Sequence, residues 1–173
     1  MPLFRTQNRF EQVFHTYSED LWRFARYLGS SHCEAEELLQ QTWLRAWEGF
    51  RTLKRMDKAR AWLFTILHRE FLRLRRRSPA HEPLDEARPL PDMRRESPGL
   101  QMDLERAIRD LPELFRTPLL MQIAGGLSID EIAGILGIPR GTVLSRIARA
   151  RKRLIAAHPR TTWTVYSNEQ RSS

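Results

Sequence analysis

Apolar residues recur at the three- and four-residue spacing of amphipathic helices in three segments of the first half of the chain. The first segment runs up to Gly29 and the second from Ser31 to Gly49, where Ser31 and Glu34 form a predicted capping box. The third covers about residues 59 to 77. The positions that share the predicted inner face of each helix are, in order, Phe10, Val13, Phe14, Tyr17, Leu21, Phe24, Ala25 and Leu28; Ala35, Leu38, Leu39, Thr42, Trp43, Ala46 and Trp47; and Trp62, Leu63, Ile66, Leu67, Phe71 and Leu74.

The segment LSIDEIAGILGIPRGTVLSRIARARKRL, near the other end of the chain, has the signals of two helices joined by a tight turn. Ser128 and Glu131 predict a capping box at the start of the first helix. Gly137 is suited to the left-handed residue that ends it, and Pro139 to the start of the next. The pattern predicts a helix-turn-helix.

The second helix of this motif has two different faces. Its apolar stripe is Val143, Ile147, Ala150 and Leu154, and the opposite face carries Thr142, Ser145, Ala148, Arg149 and Lys152. Short hydrogen-bonding groups suit base edges, and flanking arginines suit phosphates. The candidate DNA-binding residues are Arg140, Thr142, Ser145, Arg146, Arg149 and Lys152.

Five prolines separate the two patterned parts of the chain: Pro79, Pro83, Pro89, Pro91 and Pro98. They predict a flexible linker over 78–99 between a block at 1–77 and a block at 100–158, followed by a tail at 159–173. The predicted fold is therefore all-α, with two small helical domains and a helix-turn-helix in the second. Pro118 either kinks the helix that follows Pro112 or starts a new helix capped by Thr117, and the pattern does not choose.

Composition indicates a polyanionic partner, since the 173 residues carry a net charge of +8 and the pI is about 10.7. There is no apolar run of the roughly 18 residues that a membrane span needs, no signal peptide and one cysteine, Cys33, so we expect a cytoplasmic protein without direct membrane insertion. His32 beside Cys33 lacks further metal ligands. With scattered histidines and no phosphate-binding loop, we expect no enzymatic activity, cofactor, metal or small-molecule substrate.

The order EAEELLQQTWLRAWEGF, RAWLFTILHREFLRLRRR and then GTVLSRIARARKRL resembles bacterial extracytoplasmic-function sigma factors over nearly the whole chain. The resemblance implies an alternative sigma factor that binds core RNA polymerase and directs promoter-specific initiation, typically in a stress response. The block 1–77 is then sigma region 2, which docks on polymerase and opens the minus-ten element. The block 100–158 is sigma region 4, which reads the minus-thirty-five element.

The resemblance also implies roles for individual residues in the first block. The polymerase-binding residues are Glu37, Gln40, Gln41, Arg45 and Glu48. The minus-ten residues are Lys54, Arg55, Lys58, Arg60, Trp62, Arg69, Arg73 and Arg76. Trp62 and Phe64 are candidates for base stacking, although aromatic residues at helical spacing are more often core. Four positions depart from the common family pattern: Gln41 replaces glutamate, Trp43 replaces phenylalanine, and Arg69 and Arg73 replace asparagine and aspartate.

The expected partners are core polymerase, promoter DNA and an anti-sigma factor, which could hold the protein at the inner membrane. Two other interpretations stay open at this point. One is a dimeric helix-turn-helix transcription regulator. The other is a DNA-processing enzyme such as a recombinase, against which stands the missing catalytic constellation.

Overall fold

The computed structural model describes residues 2–29, 31–77 and 105–157, and these ranges are helical with no strand. The predicted linker at 78–99 and the tail at 159–173 lie outside them. The helices are α1 (Pro2–Leu28), α2 (His32–Gly49), α3 (Ala59–Arg77), α4 (105–110), α5 (Glu113–Ile123), α6 (Ile129–Leu136) and α7 (Arg140–Ala157), with short 3-10 turns at Phe50–Thr52 and Met56–Lys58. The all-α prediction is confirmed for the described residues.

Local sequence signals set the helix limits in the first block. Ser31 Oγ accepts a hydrogen bond from the Glu34 backbone N–H at 3.1 Å, which caps α2 at the predicted residue and is one of the two hydrogen bonds of the predicted capping box. The predicted end at Gly49 and the predicted range of α3 are both confirmed.

Helices α1, α2 and α3 pack around a core that contains fully buried Leu21, Phe24, Leu38, Leu63 and Leu67. Burial of these side chains stabilises the block by roughly 1.5–3 kcal/mol each.

Three aromatic assignments from the sequence were wrong or incomplete. Phe14 and Trp47, predicted to be core, are 38% and 49% exposed. Trp47 packs edge-on against Phe10 at 5.0 Å between ring centroids, at the margin of the α1–α2 contact, so part of its ring stays in solvent. Phe64, a candidate for base stacking, is 0% exposed and packs on Phe24 at 5.1 Å, so it cannot stack on DNA in this structure.

The second block is built on α5 and α7. Pro118 lies inside α5, and Thr117 is buried within the same helix, so no new helix starts there. The predicted apolar stripe of α7 is fully confirmed, because Val143, Ile147, Ala150 and Leu154 are all buried.

The two blocks pack against each other and share one continuous core, which the sequence pattern did not indicate. Helix α1 contacts α5, and α3 contacts α6. The turn after α5 approaches α3 so closely that a Cβ atom at Gly125 would lie 2.8 Å from Cε1 of Phe64. Only glycine allows this approach.

Candidate polymerase and nucleic-acid interfaces

The helix-turn-helix has the predicted local geometry. Ser128 Oγ accepts from the Glu131 N–H at 3.3 Å, and the Glu131 carboxylate accepts from the Ser128 N–H at 3.0 Å, so the capping box is complete. Gly137 ends α6 with φ 64° and ψ 33°, the left-handed conformation. The left-handed backbone of Gly137 thus ends α6 and changes the direction of the chain before α7 begins.

The outer face of α7 presents short polar groups and cations. Ser145, Arg149 and Lys152 are exposed, and within the described residues neither cation forms an ion pair. Thr142 and Arg146 are half-buried at the sides of this face. An α-helix fits into the major groove of DNA, where a face of this kind can present its hydrogen-bond donors.

The remaining arginines of α7, Arg140, Arg151 and Arg153, have partners. Arg140 donates to Asp130 at 2.7 Å, while its side chain stays more than half exposed. Arg151 donates to Gln122 at 2.9 Å, and the Arg153 guanidinium lies 4.7 Å from the centroid of the Phe115 ring. These last two contacts join α7 to α5, so Arg151 and Arg153 stabilise the block.

Helix α2 carries the predicted polymerase-binding residues on one polar face. Glu37, Gln40, Arg45 and Glu48 are exposed, and Gln41 is half-buried. Arg45 donates to Glu48 at 2.9 Å and also lies 3.8 Å from the carboxylate of buried Glu70 on α3. The contact with Glu70 holds the Arg45 side chain of α2 close to α3.

Trp43 lies on the inner side of α2 and is half-buried. Its ring packs against Phe14 at 4.5 Å and Phe10 at 6.0 Å. Within the described residues its buried indole N–H has no hydrogen-bond acceptor. A buried donor without an acceptor costs about 1–3 kcal/mol, which reduces the benefit of the larger ring.

The predicted minus-ten loop contains exposed Lys54, Arg55 and Lys58. Arg55 donates to Asp57 at 2.7 Å, and this hydrogen bond lowers the pKa of the Asp57 carboxyl. Arg55 therefore has a carboxylate partner, whereas Lys54 has no ion pair among the described residues.

Arg60 is held among groups from both blocks. Its guanidinium lies 3.6 Å from the Asp20 carboxylate and 5.4 Å from the Tyr17 ring centroid, and it donates to the Gly125 carbonyl at 3.2 Å. Burial raises the pKa of Asp20, and the charge of Arg60 opposes that shift. Lys58 lies 3.7 Å from Glu131 of α6. Two predicted minus-ten residues thus contact the second block.

The basic end of α3 is exposed, as predicted. Arg69 and Arg76 point to solvent, Arg73 donates to Glu70 at 2.7 Å, and Arg75 donates to Glu113 of α5 at 3.0 Å. Trp62 is half-buried, and its ring lies 6.3 Å from that of Phe50, so only part of it can reach a ligand. The contact of Arg75 across the blocks could not be found from spacing within α3.

The His32 ring contacts two side chains of the first block. Its Nε2 lies 3.0 Å from Glu36, and its Nδ1 lies 3.1 Å from the Arg26 guanidinium. Cys33 is exposed. The described part of the chain contains no group of three or more possible metal ligands. Nor does any helix in those ranges have the length and hydropathy needed to cross a bilayer.

An all-helical chain with a helix-turn-helix and an exposed basic face on its second helix is typical of DNA-binding proteins. Comparison of the sequence with protein families gives two matches, the first mainly in the first block and the second mainly in the second block. Sigma-70 region 2 matches residues 13–79, and Sigma-70, region 4 matches residues 101–154.

Individual relatives agree with the family matches. The chain is 33% identical over 147 residues to the ECF RNA polymerase sigma factor SigM of Mycobacterium tuberculosis, covering 84% of this chain and 74% of the relative. It is 35% identical over 156 residues to SigC of the same species, covering 84% and 81%. The chain belongs to the extracytoplasmic-function family of RNA polymerase sigma factors.

Two solved structures share the fold. One is the sigma factor RpoE in complex with the anti-sigma factor NepR from Bartonella quintana, with a TM-score of 0.75, 31% identity, and coverage of 86% of this chain and 95% of that chain. The other is CnrH in complex with the cytosolic domain of CnrY, with a TM-score of 0.63, 24% identity and 87% of each chain covered.

Proposed function

We propose that this sigma factor uses three separate surfaces to bind core RNA polymerase and to read a two-element promoter, with no catalytic group of its own. The polar face of α2 docks on polymerase. The loop at 50–61 and the basic side of α3 hold the minus-ten strand, and the outer face of α7 reads the minus-thirty-five element. The blocks 1–77 and 100–158 correspond to sigma regions 2 and 4, a division that the family matches support.

The observation that carries this proposal is the two-faced character of α7. Its apolar stripe is completely buried, and α7 contacts both α5 and α6, whereas Ser145, Arg149 and Lys152 face solvent without ion pairs among the described residues. Arg149 lies at the centre of the exposed face and is assigned to base edges. Arg146 and Lys152 lie beside it and are assigned to phosphates. Arg140 and Thr142 are placed at the end of the helix that first enters the groove.

Helix α2 supports polymerase docking because its charged groups are exposed and already ordered. The ion pair of Arg45 with Glu48, together with the contact to Glu70, limits the rotamers that Arg45 would lose on binding. Glu37, Gln40 and Gln41 complete the proposed docking face.

Capture of the minus-ten strand requires cations for phosphates, since unstacking a base costs a few kcal/mol that new contacts must offset. Lys54, Arg69 and Arg76 are exposed and available for this task. Arg55 and Arg73 would have to exchange their present carboxylate partners for phosphate. The exposed part of Trp62 is the remaining candidate for stacking.

We also assign an anti-sigma factor as a partner. RpoE, which shares this fold, was solved in complex with the anti-sigma factor NepR, and CnrH was solved with the cytosolic domain of CnrY. In this chain, Leu44 and Trp47 of α2 are large exposed apolar residues beside the proposed docking face. A partner covering them would exclude polymerase. The proposed place of action is the cytoplasm, where polymerase is found.

The proposal is tested by transcription of a randomised promoter library with sigma-free core polymerase. Arg149→Ala should relax the preference at particular base pairs by about 1–3 kcal/mol. Lys152→Ala should weaken all sequences evenly and reduce the salt dependence. Arg153→Ala is the matched control, because it removes the same charge from the same helix at a position that stacks on Phe115. Unchanged selectivity in Arg149→Ala, with folding intact, would remove Arg149 from the set of base-reading residues.

A further inference from the structure

One large apolar side chain lies on the solvent-exposed side of α7, outside its buried stripe. Leu144 is 47% exposed, whereas Val143 and Ile147 on either side of it in the sequence are buried. A single exposed leucine is common on protein surfaces, so its place in the fold decides whether it has a role. The base and phosphate contacts proposed above for α7 do not use it.

Leu144 lies in the half of α7 that is expected to enter the groove. The helix begins at Arg140, and Leu144 is in its second turn. The residues near the start of a recognition helix are the ones that contact base edges. At about 100° per residue, Leu144 and Ala148 lie about 40° apart around the helix axis. Both are exposed, and together they form an apolar edge next to exposed Ser145.

The rest of the outer face indicates what the apolar edge meets. On the other side of Ser145 lie half-buried Thr142 and Arg146, so the face has one polar side and one apolar side. Arg149 and Lys152 are exposed on the same face and form no ion pair among the described residues. A face with this charge favours a polyanion. DNA is therefore the ligand that brings a surface against the apolar edge.

We propose that Leu144, with Ala148 beside it, recognises the C5-methyl group of a thymine in the minus-thirty-five element and determines specificity at that base pair. The proposal rests on the function proposed above for α7. The thymine methyl is the apolar group that base pairs present in the major groove, and the other groups there are hydrogen-bond donors and acceptors. An apolar side chain at the groove floor thus matches thymine.

Two effects favour thymine at this position. Covering the methyl group removes apolar surface from water, which corresponds to about a fourfold gain in affinity for one methyl group. Cytosine would present its N4 amino group there instead. Leu144 has no acceptor for that donor, so covering it should weaken binding by at least about fivefold. Leu144 therefore selects thymine both by contact and by rejection of a polar edge.

The test removes only the methyl group from the DNA. The full-length chain is assembled with core polymerase, and its binding is measured to the promoter selected from the randomised library. Each thymine of the minus-thirty-five element is replaced in turn by deoxyuridine, which keeps the hydrogen-bonding groups of thymine. At one position, uracil should weaken binding about fourfold. A selected element without thymine, or equal binding of every uracil-containing promoter, would overturn the proposal.

Variants then assign that methyl group to Leu144. Leu144→Ala should bind the thymine and uracil promoters nearly equally, and Leu144→Met should retain most of the difference because it keeps an apolar side chain of similar volume. Ile155→Ala is the matched control, since Ile155 is 51% exposed but lies in the last turn of the helix. It should retain the full difference. A difference that survives Leu144→Ala would assign the methyl group to another residue and overturn the proposal.

Arg149→Ala distinguishes failure of this proposal from failure of the proposed function. If α7 reads the promoter through polar groups alone, Arg149→Ala changes base selectivity while uracil substitution has no effect, and only the role of Leu144 is overturned. If α7 does not face the promoter, neither Arg149→Ala nor Leu144→Ala changes selectivity, and both proposals are overturned. Circular dichroism verifies folding, which alanine at an exposed helix position should preserve.

Discussion

Two glycines of the helix-turn-helix allow a sharp prediction about the turn. Gly137 ends α6 in the left-handed conformation, and Gly134 lies three residues earlier inside the same helix. A Cβ atom added at either position would meet no heavy atom within 4 Å. Packing therefore does not distinguish the two sites, and an alanine substitution reports backbone energetics alone.

The expected effects have opposite signs. Alanine in the left-handed region costs about 1–2 kcal/mol, so Gly137→Ala should destabilise the protein by that amount. In the helix interior, alanine is favoured over glycine by about 0.5–1 kcal/mol, so Gly134→Ala should stabilise it. The two variants should differ by about 1.5–3 kcal/mol in free energy of unfolding, although they add the same methyl group to the same element.

Urea unfolding of both variants, followed by circular dichroism, measures this difference. The midpoint should fall for Gly137→Ala and rise for Gly134→Ala with the slope unchanged. In thermal unfolding, each kcal/mol corresponds to a shift of about 2–4 °C for a chain of this size. An unchanged midpoint for Gly137→Ala would refute the claim that the left-handed residue determines the turn.

Three further predictions concern the first block. Trp43→Phe should change the free energy of unfolding by less than about 1.5 kcal/mol, because the loss of ring volume is offset by removal of an indole N–H that has no acceptor among the described residues. Trp43→Ala should cost about 3–5 kcal/mol. Equal losses for the two variants in chemical denaturation would contradict this reasoning. Burial lowers the pKa of His68 below 6.5 in the folded protein, so the unfolded chain takes up this proton at a higher pH. The free energy of unfolding should therefore keep its full value above pH 6.5 and decrease as the pH falls towards the folded-state pKa. His68→Gln should reduce this acid sensitivity and exposed His15→Gln should not; a pH profile unaltered by His68→Gln would show that the histidine is not desolvated in the folded protein. Arg45→Glu combined with Glu48→Arg keeps the pair within α2 and should weaken binding to core polymerase in a pull-down or titration. Because Arg45→Glu also brings a carboxylate near buried Glu70, urea unfolding of the double variant must show that the domain is still folded, and native affinity of the folded variant would exclude this face from docking.

Much of the local structure could be predicted because it is encoded in neighbouring residues. The caps at Ser31 and Ser128, the end of α6 at Gly137 and the range of α3 depend on interactions over a few positions. The buried stripe of α7 also follows from helical periodicity, which places every third or fourth residue on one side.

The contacts between distant segments could not be predicted in this way. Phe64 has the spacing of a core residue and of a stacking residue alike, and only its contacts with Phe24 and Gly125 show what covers it. The pairing of Arg75 with Glu113 joins residues of different blocks, and nothing near either residue in the sequence indicates the other. Exposure of Trp47 likewise depends on where the margin of the α1–α2 contact falls, because periodicity predicts a face but not its edges.

The most direct test of the central claim is promoter-specific initiation by purified core polymerase with and without the full-length chain. On a promoter selected from the randomised library, core alone should give no transcript with a defined start, and addition of the chain should produce one. Replacement of either promoter element should reduce that transcript strongly, because each block supplies one of the contacts. If the chain instead bound DNA as a dimer and yielded no transcript with core polymerase, it would act as a conventional regulator, and its role as the promoter-reading subunit of polymerase would be contradicted.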